Sequence, residues 1–407
     1  MANKILTIDM ITNEALRLLI NNMVMGKLVN RQYSDYFAKA GGKIGKTLRI
    51  RKPTMFEAQD GRVIASDDDI QDYEEEYVDL TVKSAFVAIE FSTEEQKYSL
   101  DMFSSRVLEP AIVALINKMD KEILSLATQV PNVVGDETSG LNEASTILEA
   151  GVVLDNHGAL RGSDMRSFVV SAAANAALVN GLKELFNNAK LVGDQYAKGV
   201  MADALGFSFY MDQNVSKHTN GTGVADTITV NGANQTGSAL TVSGITGTLN
   251  AGDSFNIEGV YDVNPVSKET TGMLKDFKVV SVNSGKTGIS VSPAIITDGP
   301  FQNVTASAAN GAALVFEGST SGAIFDQNLA FAKDAIALAI IDKGEPERPG
   351  AKAFTARSKE YNCAITIIQQ YDIRTESTIT KLLIDYAYGL VRPELAVVVK
   401  SKVGATK

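Results

Sequence analysis

Cysteine is almost absent from this 407-residue chain: Cys363 stands alone, so no intramolecular disulfide can form. Histidine is nearly as scarce. His157 and His218 leave almost no material for a Cys/His metal site, which excludes structural zinc. Basic charge is in deficit, since 38 Lys and Arg face 48 Asp and Glu for a formal net charge of −10. Such a surface repels nucleic acid and anionic lipid, which argues against a dedicated DNA binder or a membrane partner. No apolar run reaches the roughly 18 residues of a membrane-spanning helix. The segment Met1 to Ile20 carries Asp9 and Glu14 and lacks a signal peptide's basic start and uninterrupted apolar stretch. The expectation is a protein made and folded in a cytoplasm.

What remains is ordinary globular material, 45% apolar and 21% charged, enough for two or three folded units at about 150 residues each. Ile8, Ile11, Ala15, Leu18, Leu19 and Met23 recur at helical spacing, which predicts a helix with Thr7 as its N-cap. Its polar face carries Asp9, Asn13 and Arg17.

Charge is then segregated. Lys39 to Lys52 holds six bases (Lys39, Lys43, Lys46, Arg49, Arg51, Lys52) and no acid. Asp67 to Asp79 holds eight acids (Asp67, Asp68, Asp69, Asp72, Glu74, Glu75, Glu76, Asp79) and no base. Alternation around Leu48 and Ile50, and again at Val78, Leu80 and Val82, makes both flanks strands, so Lys46 to Phe91 reads as a long two-stranded arm. An arm this thin buries no core of its own and needs support, for which a neighbouring subunit is the natural candidate. The two blocks either pair with each other within one chain or orient the arm across a neighbour's oppositely charged surface.

Phe103, Val107, Leu108, Ile112, Leu115, Met119, Ile123, Leu124 and Ala127 carry a strong helical period, with Pro110 suited to a first turn. Leu141 to Tyr210 mixes helices with short strands such as Ser167 to Ser171. At Thr219 the composition changes: the 104 residues to Gly322 hold 15 of the 33 glycines, 14 Thr and 11 Ser, but 4 Lys and no Arg. Six strand-like runs, Thr227–Val230, Leu240–Ser243, Ser254–Glu258, Phe277–Val282, Ile289–Ser292 and Leu314–Glu317, mark a β sandwich or small barrel inserted in an α/β host. Leu329, Ala332, Ile336 and Ile340 then read as resumed helix, followed by a strand at Cys363–Gln369, a helix at Thr378–Tyr388 and a strand at Leu395–Val399.

Catalytic constellations do not rise above background, and no cofactor is expected. Asn156-His157-Gly158 and Lys217-His218-Thr219 read as solvated loop histidines, and Cys363, beside Ala364 and Ile365, as a buried core residue. Gly41 to Thr47 ends in Gly-Lys-Thr, but Ala40 replaces the first glycine of a phosphate loop and a strand follows where a helix should open. The acidic run lacks the spacing, central glycine and closing glutamate of a calcium loop.

The order of parts resembles that of tailed-bacteriophage major capsid proteins with the Hong Kong phage capsid fold, in particular the short-tailed phage coat proteins that carry an extra barrel. Local sequence carries the likeness: Asn328-Leu329-Ala330-Phe331-Ala332-Lys333-Asp334-Ala335, Tyr371-Asp372-Ile373, Ile384-Asp385-Tyr386-Ala387-Tyr388-Gly389, Arg392-Pro393-Glu394-Leu395-Ala396, and Phe255 to Val260 with Asn264-Pro265. The resemblance implies an α+β fold with an N-terminal arm (1–43), an extended β-loop (44–95), a spine helix with part of a peripheral domain (96–135), an axial and peripheral α/β body (136–218), an inserted β module (219–322) and the return of both domains (323–407). It further implies self-assembly through hexamers and pentamers into an icosahedral shell around phage DNA that is enclosed without specific binding. Portal and other virion proteins, and in many relatives a scaffolding protein, are the implied partners. On this reading Lys46, Arg49, Arg51, Lys52, Asp67, Asp68, Asp69, Asp72, Glu74, Glu75 and Glu76 are candidate intersubunit residues, and Asp9 and Glu14 a candidate scaffold contact. The alternatives are the shell of a bacterial encapsulating compartment and a surface adhesin with a Gly/Thr-rich module.

Overall fold

The computed structural model describes residues 8–32, 47–53, 56, 70, 76–92, 104–162, 165–182, 204–318, 320–342, 351–358 and 362–403. In chain order come α1 (Ile8–Asn22), β1 (Thr47–Arg51), β2 (Tyr77–Ser92), α2 (Glu109–Leu124), β3 (Val133–Gly135), α3 (Ala144–Asn156), β4 (Arg166–Val170), α4 (Ala172–Leu182), β5 (Ser208–Met211) and β6 (Lys217–Thr219). Then follow β7 (Ile228–Val230), β8 (Gly237–Ser243), β9 (Ser254–Val263), β10 (Thr270–Val282), β11 (Gly288–Ile295) and β12 (Ala313–Phe316). The last are β13 (Ile324–Ala332), β14 (Ile336–Ile341), β15 (Ala351–Ser358), β16 (Cys363–Asp372), β17 (Ser377–Leu390) and β18 (Ala396–Lys402). The chain divides into two discontinuous compact units: Met1–Ile50, Tyr77–Ile123 and Ile336–Gly389 in one, Arg51–Glu76, Leu124–Ala335 and Leu390–Lys407 in the other.

The first unit is built on a sheet of order β1-β2-β17-β16-β15, with β14 also pairing β17. Helix α1 packs on β15 and β16, burying Ile11, Ala15, Leu18 and Leu19 as their spacing demands. Thr7, the expected N-cap, lies outside the described residues. Helix α2 has Pro110 in its first turn, where the missing N–H costs no hydrogen bond, and buries Ile112, Leu115, Met119 and Ile123 on one face.

One expectation fails at β17. Ser377–Leu390 is a strand, not the helix read at Thr378–Tyr388, because it lies between β2 and β16 and is hydrogen-bonded on both edges. Most of it is buried on both faces, and that erases the alternation by which a strand is recognised. The register from Val82↔Ala387 to Ser92↔Ser377 also means that the second strand of the arm is supported by its own chain over that length.

The second unit holds an α/β body and a barrel. The body sheet runs β3-β18-β13-β4-β5, with β6 also pairing β13. It is mixed: β3 is parallel to β18 and β5 to β4, while β13 is antiparallel to both β18 and β4. Ile147, Ala150 and Leu154 of α3 and Leu178 of α4 join Phe168, Phe209, Val397 and Val399 in its core. Helix was expected to resume at Phe325; instead Ile324–Ala332 is a central strand with eight of its nine residues buried, and Ile336–Ile341, in the first unit, is a strand buried throughout.

Six strands close into the barrel β10-β11-β8-β7-β12-β9, one for each of the six runs that alternation singled out. Ile228 and Val230, Leu240 and Val242, Phe255 and Ile257, Phe277 and Val279, Ile289 and Val291, Leu314 and Phe316 all point inward. Phe255 sits at its centre, 5.9 Å from Phe277 and 5.5 Å from Phe316 between ring centroids.

Candidate assembly surfaces and the seat of the barrel

Of the two charged blocks, the structure describes Arg49, Arg51, Lys52, Glu76 and Asp79; Lys46, Asp67, Asp68, Asp69, Asp72, Glu74 and Glu75 lie outside the described residues. Four of these described members pair with one another inside the chain. In the first unit Arg49 donates from Nε to Asp79 Oδ1 at 2.8 Å and from its terminal nitrogen to Oδ2 at 3.0 Å, with its guanidinium 3.8 Å from the Tyr77 ring centroid. The guanidinium holds the Asp79 carboxyl below the usual carboxylate range. In the second unit Lys52 Nζ donates to Glu76 Oε2 at 2.8 Å, and the Lys52 N–H to the Glu76 carbonyl at 2.8 Å. The Arg49 pair is exposed and the Lys52 pair half-buried, so they act on register more than on strength.

On α1, Asp9 is exposed, but Glu14 is held by Arg17 through two hydrogen bonds of 2.9 and 2.6 Å. Glu14 thus shares the exposed face with an (i, i+3) arginine that is bonded to its carboxylate.

The polar residues that the sequence reading missed lie where the barrel meets the body. Neither histidine is a solvated loop residue: His157 is 3% exposed and His218 6%. His218, on β6, places Nε2 2.8 Å from Oδ1 of Asp253, the residue just before β9. Asp253 also accepts from the Asn250 N–H at 2.8 Å and the Gly221 N–H at 3.2 Å. A Cβ on Gly221 would stand 2.2 Å from the Thr248 carbonyl oxygen and 2.8 Å from Asp253 Oδ2, so only glycine fits that crossing. The return crossing is tied to the same place. Glu137 accepts from Asn220 Nδ2 at 2.9 Å and from the Thr320 N–H at 3.0 Å, and Asn220 N–H reaches the Ala323 carbonyl at 2.9 Å.

At the other end of β9, His157, which ends α3, has Nδ1 2.8 Å from the Val153 carbonyl and Nε2 3.2 Å from Asp262 Oδ2. Lys275 Nζ donates to Asp262 Oδ1 at 2.7 Å. Burial alone would raise the Asp262 carboxyl, but the His157 contact and the Lys275 ammonium outweigh it and hold it below its usual range. Between the two ends, Asp276 accepts from the Val133 N–H at 3.0 Å and from Asn256 Nδ2 at 2.9 Å. Desolvation pushes its carboxyl up to about 7. Lys278, 1% exposed, is pushed down to about 7 by burial and by Lys400 nearby, while its Nζ donates to the Gly252 carbonyl at 3.1 Å.

No group of three or more metal-ligating side chains occurs among the described residues, and no described helix is long and apolar enough to cross a membrane. A cleft of about 330 Å³ beside His157 is walled by Pro131, Pro265, Pro293 and Pro393. Its cations Lys52, Lys275 and Arg392 are each engaged, with Glu76, Asp262 and Glu394. Cys363 is buried, as expected.

Comparison with known proteins places these features in context. The family described as "P22 coat protein - gene protein 5" matches residues 1–399. No curated protein matches the chain. Among solved structures the chain is similar to one of Mycobacterium phage Che8, at 13% identity and TM-score 0.44, covering 93% of this chain and 90% of that one. It is similar to a virus-like particle from Pyrococcus furiosus at 8% identity and TM-score 0.38, covering 96% and 98%. The CUS-3 coat protein I-domain matches 22% of this chain over 94% of its own length, at 27% identity and TM-score 0.19.

Proposed function

Because the chain belongs to the P22 coat protein family, as a structural major capsid protein that self-assembles into the multimeric shell of a virion, we propose that its copies join as hexamers and pentamers in an icosahedral shell around double-stranded phage DNA. The single observation that carries this is the family match from residue 1 to residue 399. The compartment-shell and adhesin alternatives have no comparable support.

The acidic balance of −10 suits a wall that must not adhere to the DNA it encloses. Portal and scaffolding proteins are the expected partners, and assembly takes place in the host cytoplasm. Asp9, exposed near the start of α1, would orient a basic scaffold segment, with Glu14 contributing less because Arg17 holds it. The acids Asp67, Asp68, Asp69, Asp72, Glu74 and Glu75 and the base Lys46 would orient the arm at intersubunit contacts, while Arg49, Lys52 and Glu76 hold its base in register.

Electron microscopy of the purified chain, alone and co-expressed with the other virion proteins, tests the reading. Closed shells of uniform size support it, and a chain that stays monomeric under both conditions overturns it. Within that test, reversing Asp67, Asp68 and Asp69 to Lys should lower shell yield at low salt without unfolding the subunit.

A further inference from the structure

The chain's only two histidines both belong to the α/β body, and each meets a carboxylate of the barrel. The two contacts stand at opposite ends of β9, since Asp253 precedes its first residue and Asp262 is its last but one. Nine residues of extended chain separate points by up to roughly 30 Å. The two covalent crossings between body and barrel converge at the Asp253 end alone, where Asp253 and Glu137 hold Gly221, Asn220 and Thr320. Beyond them the Val133 N–H meets Asp276 partway along, which leaves the Asp262 end without a covalent tie, and two linkers at one place resist translation better than rotation about it. The far end is where a swing would be largest.

We propose that His157 is the far stop of the barrel: with Asp262 and Lys275 it fixes the barrel in one pose on the body, and that pose sets the geometry in which copies assemble. The second half of this rests on the coat-protein reading. The contact is built for such a role. His157 is held at the end of α3 by the Val153 carbonyl, so its ring is positioned by the body. Asp262 is held from the other side by Lys275, on the neighbouring barrel strand. Asn264, two residues beyond Asp262, donates from Nδ2 to the Asn156 carbonyl at 2.7 Å and extends the same contact by one turn of chain. All three members of the cluster are buried, so loss of the histidine leaves a desolvated carboxylate short of one partner. His157 is thus a positioning residue, acting through where it places the barrel.

The test uses the full-length chain with His157→Phe, which keeps a planar aromatic ring, one ring atom larger, and removes both polar nitrogens. Amide hydrogen exchange should rise by about tenfold or more across residues 264–274 and the last turn of α3, while the amides of β11 and β12 stay unchanged. Shells formed by the variant should vary in size and curvature. Asp262→Asn keeps one oxygen, which Lys275 claims, and turns its amide NH₂ toward His157, so it should raise exchange at 264–274 in the same way and serves as the measurement if the phenylalanine variant does not fold. Unchanged exchange at 264–274, or an equal rise throughout the barrel, would overturn the stop. So would uniform shells from a variant whose barrel tip has loosened. Failure of the unsubstituted chain to form shells would instead sink the coat-protein reading, while the exchange comparison would still decide the stop.

Discussion

Asp253 offers the sharpest test of how the barrel is joined to the body. It is 1% exposed and its two oxygens accept from three donors: His218 Nε2 at 2.8 Å, the Asn250 N–H at 2.8 Å and the Gly221 N–H at 3.2 Å. Asp253→Ala removes all three acceptor contacts and leaves donors that water reaches poorly. Each buried donor stripped of its partner costs about 1–3 kcal/mol. The loop can relax around at least one of them, so the expected loss is about 3–5 kcal/mol, a large part of the roughly 5–15 kcal/mol that a domain has. Asp253→Asn keeps one oxygen but turns an amide NH₂ toward donors, so its cost should be intermediate. His218→Ala leaves Asp253 with its two backbone donors and should cost least, about 1–2 kcal/mol. Urea titration of the full-length subunit, followed by far-UV circular dichroism at constant m, measures all three. An Asp253→Ala loss below about 1 kcal/mol, or a larger loss for His218→Ala than for Asp253→Ala, would refute the reasoning.

Three further outcomes are expected. Asp276 is raised in the folded chain, so it holds a proton there between about pH 4 and 7 that the unfolded chain has released; its contribution to stability falls as pH rises through that window, and Asp276→Asn should flatten that slope in urea titrations at stepped pH. Phe255→Ala, at the centre of the barrel, should cost about 3–5 kcal/mol, measured as a shift in urea midpoint, and a loss below about 1 kcal/mol would show that the barrel core is not packed around it. Gly318 has φ +98°, and a Cβ there would overlap Glu137 Oε2, so Gly318→Ala should speed proteolytic cleavage near residues 317–323 while Gly322→Ala, which meets nothing within 4 Å, should do so far less.

Some of this protein was legible residue by residue. Helix α1 was readable because only one of its faces is buried, so Ile11, Ala15, Leu18 and Leu19 stand out against polar neighbours. The six barrel strands were readable for the same reason at period two, with one side chain inside and the next outside, and glycines between them. The family likeness followed from that order of parts and from a few local runs, such as Asn328 to Ala335.

Elsewhere the local signal was absent or misleading. Along β13, β14 and β17 neighbouring strands and packed layers cover both faces, so buried residues, polar ones such as Asp326, Gln327 and Asn328 among them, follow one another without alternation, and period two does not mark a strand. The histidines misled because their chain neighbours are polar or glycine, as in loops. Their burial depends on Asp253, 35 residues from His218, and on Asp262, more than 100 residues from His157. The pairing of Glu14 with Arg17, of Arg49 with Asp79 and of Lys52 with Glu76 was likewise not marked by periodicity. The sequence by itself determined which segments could bury one face, and hence α1 and the barrel, while the order of parts and a few local runs carried the family likeness. Only the tertiary structure decided which strands lie between others and which charges meet, because these depend on contacts between residues far apart in the chain, and periodicity along the chain carries no record of them.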